Sequence, residues 1–231
     1  MKRHLPNFLT CCNLLSGCLG IVFVLENSDI PAAYLVWLAG IFDFFDGFAA
    51  RMLKVTSRIG KELDSLADVV SFGVLPSLVM YKMISASTDS SFLPYIGFTI
   101  AVFLALRLAI FNIDETQRDS FRGLNTPANT LFITALPLLY DDVGRWLYQP
   151  AVLITITLLF SFLLVSRIEF FAFKFKNFRW ADNQIRFTFL ILAVLLLITL
   201  QMLAIPIIII LYIVLSLFKN TFSGRKSVKK P

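Results

Sequence analysis

Four aspartates fall within sequence that is otherwise apolar. Asp43 and Asp46 lie in the run Asp43-Phe-Phe-Asp46-Gly47-Phe-Ala-Ala50-Arg51, and Asp64 and Asp68 follow Gly60. An ionised carboxylate in hydrocarbon costs at least a few kcal/mol, so such a residue points to function. The spacing sharpens the inference. Asp43, Asp46, Gly47 and Ala50 recur at i, i+3, i+4, i+7, one face of a helix. Gly60, Asp64 and Asp68 recur at i, i+4, i+8, again one face. Two antiparallel helices joined by the short basic segment with Lys54, Arg58 and Lys61 would aim four carboxylates into one cleft. Carboxylate oxygens suit hard cations such as Mg²⁺, which takes a few carboxylates together with substrate phosphates. Gly47 and Ala50 would let a ligand approach the backbone, and Arg51 would supply charge for a diphosphate. The plainer alternative pairs the acids with Arg51, Arg58 and Lys61 at a wet helix end. It leaves four acids on two matched faces unexplained.

The pattern D-x-x-D-G-x-x-A-R-x8-G-x3-D-x3-D resembles the signature of the CDP-alcohol phosphotransferases. All of its fixed positions are present: Asp43, Asp46, Gly47, Ala50, Arg51, Gly60, Asp64 and Asp68. The resemblance implies transfer of a substituted phosphate from a CDP-linked donor to an alcohol, with release of CMP. It implies Mg²⁺ or Mn²⁺ at the four aspartates and a CDP site around Gly47, Ala50, Arg51 and Gly60. It also implies a core of six transmembrane helices and a homodimer. The chemistry needs neutralised charge, alignment and a base for the alcohol proton. Asp43, Asp46 and Asp64 are expected as metal ligands. Asp68, deepest on its face, is the candidate base and a further metal contact.

The elements that must carry these residues are membrane helices. The chain has 231 residues, 58% hydrophobic and 16% charged, with mean hydropathy +0.78, against roughly 45–50% apolar and 25% charged in soluble domains. An all-α membrane protein is expected: a polytopic helical bundle of about eight transmembrane helices in a single domain over residues 1–231. The catalytic core would occupy 5–170, a basic cytoplasmic loop 171–186, two extra spans 187–219 and a basic tail 220–231, disordered from Gly224. Spans are expected at about Phe8–Leu25, Pro31–Leu53, Leu63–Ile84 and Phe92–Ile113. A short one ends near Tyr140, and a sixth runs Pro150–Phe170. The final apolar run, Phe187–Phe218, exceeds the roughly 20 residues of one crossing and reads as two spans turning near Gln201–Pro206, with one tilted, proline-kinked helix as the alternative. In the first span Thr10, Asn13 and Gly17 share a face. That face either packs helices or lines the acid cleft, where Asn13 would touch the CDP moiety. Cys11, Cys12 and Cys18 lie within that span and suggest no disulfide framework. His4 has no partner for metal binding, and no cleavable leader is evident.

All but Lys82, Arg107, Arg145 and Arg167 of the 21 lysines and arginines fall on one side of this topology. The positive-inside rule then puts both termini and the acids on the cytoplasmic face of the inner membrane. The net charge of +6 is accounted for by these loops and calls for no nucleic acid.

Three further stretches bear on the acceptor: Ser71-Phe72-Gly73 after Asp68, Arg107 to Asn112, and Phe121 to Ala128. They resemble the family members that join CDP-diacylglycerol to L-serine. Similar sequences carry Arg at Ile110 and Pro at Asn125. Ser71, Arg107 and Arg122 are the serine candidates, since an arginine can receive its carboxylate; Arg118 is a weaker one. Glycerol 3-phosphate, inositol phosphate and choline are alternative acceptors. Outside this chemistry, intramembrane acids also mark ion paths, although a transporter usually shows repeat symmetry and none is visible here.

Overall fold

The computed structural model describes residues 4–28, 30–55, 57–113, 121–139, 143–170 and 180–227. Helices α1 (Leu5–Leu25) and α2 (Ala32–Met52) pack along each other. Helix α3 (Arg58–Asp68), a π-helical turn (Val69–Val74) and α4 (Leu75–Ser87) form one continuous rod. A 3₁₀ turn (Leu93–Phe98) leads into α5 (Thr99–Ile113). Then come β1 (Phe121–Arg122), α6 (Thr126–Ala135), α7 (Pro150–Val165), β2 (Glu169–Phe170), α8 (Trp180–Leu200) and α9 (Ala204–Ser227).

Local chemistry sets several starts. Ser57 Oγ accepts from Gly60 N at 2.9 Å and caps α3. Asn125 Oδ1 accepts from Ala128 N at 3.3 Å and caps α6, with Pro127 in the first turn; both are favoured N-terminal chemistry. Asn125 thus starts α6 by a side-chain cap.

Burial is inverted relative to a water-soluble helix. Helix α1 buries Pro6, Thr10, Asn13, Ser16, Gly17 and Gly20 and exposes Phe8, Leu15, Leu19 and Val22. Helix α2 buries Ala33, Val36, Ala39, Asp46 and Ala49 and exposes Ile41, Phe44, Phe45 and Phe48. Small and polar residues inward with large apolar ones outward is how helices associate in lipid. Among the described residues five apolar helical stretches are long enough to cross a bilayer, and Thr126–Leu139 and Pro150–Val165 are shorter apolar helices. The chain is an all-α, membrane-integral, polytopic protein.

The last stretch, Asn183–Phe218, reverses on itself. Gln201 takes φ 48°, a 3₁₀ turn spans Gln201–Leu203, and the rings of Phe189 and Tyr212 come within 5.9 Å. That separation requires two antiparallel helices, as the length of the run suggested. The hairpin shares a core with Leu124, Phe132, Phe160 and Phe170.

Three boundaries differ from expectation. The sixth span stops at Val165, not Phe170. Ser166 turns extended, and Glu169–Phe170 pairs antiparallel with Phe121–Arg122. Gly123 N donates to Ile168 O at 2.9 Å and Leu124 N to Leu163 O at 2.8 Å. Gly123, at φ +81°, lies so close to Leu164 that a side chain there would strike its carbonyl. Apolar Ile168 and Phe170 had read as more helix. Residues 180–186, expected as loop, begin α8 with a break at Asn183, and the tail is helical through Ser227. The remaining loop residues 171–179, Arg118 and residues 1–3 lie outside the described residues.

Gly17 fixes the approach of α1 to the π turn: a Cβ there would lie 2.8 Å from Ser71 Cα, whereas one at Gly40 would meet nothing within 4 Å. Gly17→Val should therefore cost about 1–3 kcal/mol through overpacking, read as a lower unfolding temperature in detergent. Gly40→Val should change it little. Equal melts for the two variants would contradict this packing.

Candidate active site

Helices α2 and α3 bring three of the four aspartates together. Asp43, Asp64 and Asp68 each offer a carboxylate oxygen, all within 4.8 Å of one another. Asp46, one turn further along α2, is buried, and its Oδ2 accepts from Thr10 Oγ1 at 2.6 Å. Asn13 is fully buried and donates through Nδ2 to Asp68 Oδ1 at 3.4 Å, and its own Oδ1 lacks a partner. The polar face of α1 therefore reaches both acid-bearing helices.

Asp68 ends α3, and the chain at once widens into the π turn. Hydroxyl groups brace that turn on every side. Ser71 Oγ donates to Asn13 O at 3.0 Å, Thr130 Oγ1 to Phe72 O at 2.9 Å, and Ser77 Oγ to Gly73 O at 2.7 Å while accepting from Ala101 N at 2.9 Å. Such π segments recur at functional sites. Ser71 is fully buried and committed to this brace. It faces α1 rather than an open cavity, contrary to its expected acceptor role.

Two cavities are relevant, of which the first is lined in part by the acids Asp46 and Asp64. The larger, about 510 Å³, is lined by Pro6, Asn7, Thr10, Asp46, Gly47, Ala50, Val55, Ser57, Arg58, Gly60, Lys61 and Asp64. Its size is that of a small-molecule site. A Cβ on Gly47 would meet nothing within 4 Å, so this glycine leaves open space; one on Gly60 would press Ser57 Oγ at 2.8 Å. Arg51 is exposed, is not among the residues that line that cavity, and donates through Nε to Gly47 O at 3.0 Å. Arg58 and Lys61 stand there instead, cations that spacing alone had assigned only to the connecting loop. Lys61 Nζ also donates to Asn112 O at 3.2 Å, and Asn112 Nδ2 to Ser65 Oγ at 2.8 Å, tying α5 to α3. Arg51 and Lys61 thus each donate to a backbone oxygen.

The second cavity, about 360 Å³, is lined by Arg107, Ile110, Phe111, Arg122, Leu164, Val165, Ser166 and Arg167. Arg107 Nη1 donates to Thr126 Oγ1 at 2.6 Å. The sequence had named Arg107 and Arg122 for this purpose. Arg167 was missed because it lay within a misassigned span end. Ile110, where similar sequences carry Arg, faces the same cavity, and Arg167 adds a third cation to it.

A family model described as CDP-alcohol phosphatidyltransferase matches residues 3–163. The chain belongs to that family. The serine O-phosphatidyltransferase of Bacillus subtilis (strain 168), named for CDP-diacylglycerol and serine, is 34% identical over 176 residues, covering 74% of this chain and 92% of the relative. The enzyme of the same name from Mycobacterium leprae (strain TN) is 36% identical over 173 residues, 71% of this chain and 57% of the relative. Archaetidylserine synthase of Methanothermobacter thermautotrophicus is 34% identical over 174 residues, 72% of this chain and 69% of the relative. The family's chemistry is metal-dependent, and the acid cluster offers the donor set for it. Oxygens that share one Mg²⁺ at 2.0–2.1 Å stand at most about 4.2 Å apart. An all-carboxylate trio with a spread near that value fits a hard divalent cation.

Gathering carboxylates without a cation costs stability through like-charge repulsion. In EDTA, Asp68→Asn should melt at or above the wild-type temperature. Adding Mg²⁺ should raise the wild-type melt by several degrees and leave Asp68→Asn nearly unmoved. A cation-induced shift of equal size in both proteins would argue against the trio as the binding site.

Proposed function

We propose that this chain transfers the phosphatidyl group of CDP-diacylglycerol to the hydroxyl of L-serine, releasing CMP, in phospholipid synthesis. The observation that carries the reading is the convergence of Asp43, Asp64 and Asp68, with Asp64 lining a cavity that also holds Gly47 and Gly60; a second cavity is lined by Arg107, Arg122 and Arg167. The names borne by relatives at 34–36% identity supply the choice of serine.

In this reading Asp43, Asp46, Asp64 and Asp68 hold Mg²⁺ or Mn²⁺. When bound, the cation neutralises the diphosphate and eases departure of CMP. Gly47, Ala50 and Gly60 make room for the CDP moiety, and Asn13 orients Asp68 beside it. Arg58 and Lys61 give the phosphates the charge that Arg51 was expected to give. Serine enters the arginine cavity, where Arg107, Arg122 and Arg167 receive its carboxylate. Asp68 takes the proton from the serine hydroxyl. The serine oxygen forms a bond to the phosphorus that carries diacylglycerol, the phosphoanhydride bond breaks, and CMP leaves with the electron pair. Placing the site at a helix end lets the acyl chains stay in lipid while the head group reacts. The basic loops support a cytoplasmic site at the inner membrane in this reading, and the family resemblance supports a homodimer.

A phosphorylated acceptor is the second reading, because three arginines around one cavity also suit a phosphate dianion. Purified protein with CDP-diacylglycerol and Mn²⁺ decides between them. CMP release should depend on L-serine and remain at background with glycerol 3-phosphate. Asp68→Asn should lower the serine-dependent rate at least 100-fold, the scale of a lost general base. Release driven by glycerol 3-phosphate and not by serine would overturn the proposal.

A further inference from the structure

The C-terminal hairpin α8–α9 lies beyond residue 163, where the family match ends, yet it is built into the core. Phe189, Ala193, Ile209 and Tyr212 are buried in the same apolar cluster as Leu124, Phe132 and Phe160. Helix α9 packs on α6 and on β2, and each of these elements adjoins residues that line the arginine cavity. Helix α6 begins at Thr126, the residue that receives the Arg107 guanidinium. Strand β2 sets Glu169 opposite Arg122 in its ladder and follows directly on Arg167.

One side chain of α9 meets β2. Tyr212 is 4% exposed. Its ring lies 5.6 Å from that of Phe170 on β2 and 5.9 Å from that of Phe189 on α8. The tyrosine therefore packs on β2, the strand that pairs with Arg122 and follows Arg167. Arginine grips a carboxylate through a planar fork that works only when its orientation is fixed.

We propose that the C-terminal hairpin shapes the arginine cavity for its acceptor, with Tyr212 as the positioning residue that seats β2 and, through it, Arg122 and Arg167. The proposal rests on reading that cavity as the serine site. The hairpin is then part of acceptor selection rather than an added membrane anchor.

Steady-state kinetics on the full-length protein test it. Tyr212→Ala should raise the KM for serine at least fivefold, with kcat and the KM for CDP-diacylglycerol within twofold of wild type. Tyr212→Phe, which keeps the ring between Phe170 and Phe189, should restore the serine KM to within twofold. A serine KM unchanged in Tyr212→Ala, or raised together with that for CDP-diacylglycerol, overturns the proposal, as does a Tyr212→Phe variant as impaired as the alanine. If Tyr212→Ala is not recovered folded, Tyr212→Leu is read by the same criteria. Arg167→Ala separates the two levels of inference. No change in its serine KM removes the acceptor reading itself. A raised KM there with no effect in Tyr212→Ala removes the hairpin's role alone.

Discussion

Like charges held close in a poorly screening medium are the constraint on which this structure turns. At an effective dielectric constant of about 20, two unit charges 4.8 Å apart repel by roughly 3 kcal/mol. Three carboxylates within that distance would drive their helices apart unless other contacts held them. Helix α1 meets this need. Thr10 holds Asp46, Asn13 holds Asp68, and Gly17 lets α1 sit against the π turn. The seemingly misplaced polar residues of the first span are what allow the acids of the next two to coexist.

The π turn is the second half of the same solution. A regular helix continuing from Asp68 would carry α4 on in the register of α3. The wider turn at Val69–Val74 resets that register, and hydroxyl groups of Ser71, Ser77 and Thr130 bond its carbonyls or those facing it. In lipid no water can serve such groups, so each needs an internal partner. Stability and site geometry therefore depend on the same few serines and threonines. Ser71, which looked like a substrate contact, is part of this frame.

Much of this was legible in the chain. Acid spacing at i, i+3 and i, i+4 fixed which helices meet, because a helical period admits one face only. The 32 residues from Phe187 to Phe218 were too long for one crossing, and the hairpin follows. What stayed hidden depended on contacts distant in sequence. Arg51 turns to its own helix carbonyl while Arg58 and Lys61 line the cavity, a choice between neighbouring cations that spacing cannot make. Arg167 was read as a span end because Ile168 and Phe170 are apolar, and only pairing with Phe121–Arg122 reveals a strand there. Tyr212 carried no signal at all in an unbroken apolar run.

The central claim is that Asp43, Asp64 and Asp68 grip one cation shared with a nucleotide-activated lipid. Anomalous diffraction from crystals grown with Mn²⁺ and CDP-diacylglycerol addresses it most directly. The account predicts a manganese peak in contact with carboxylates of all three aspartates and with the diphosphate. A peak elsewhere, or a bound nucleotide with those carboxylates turned away from it, would contradict it.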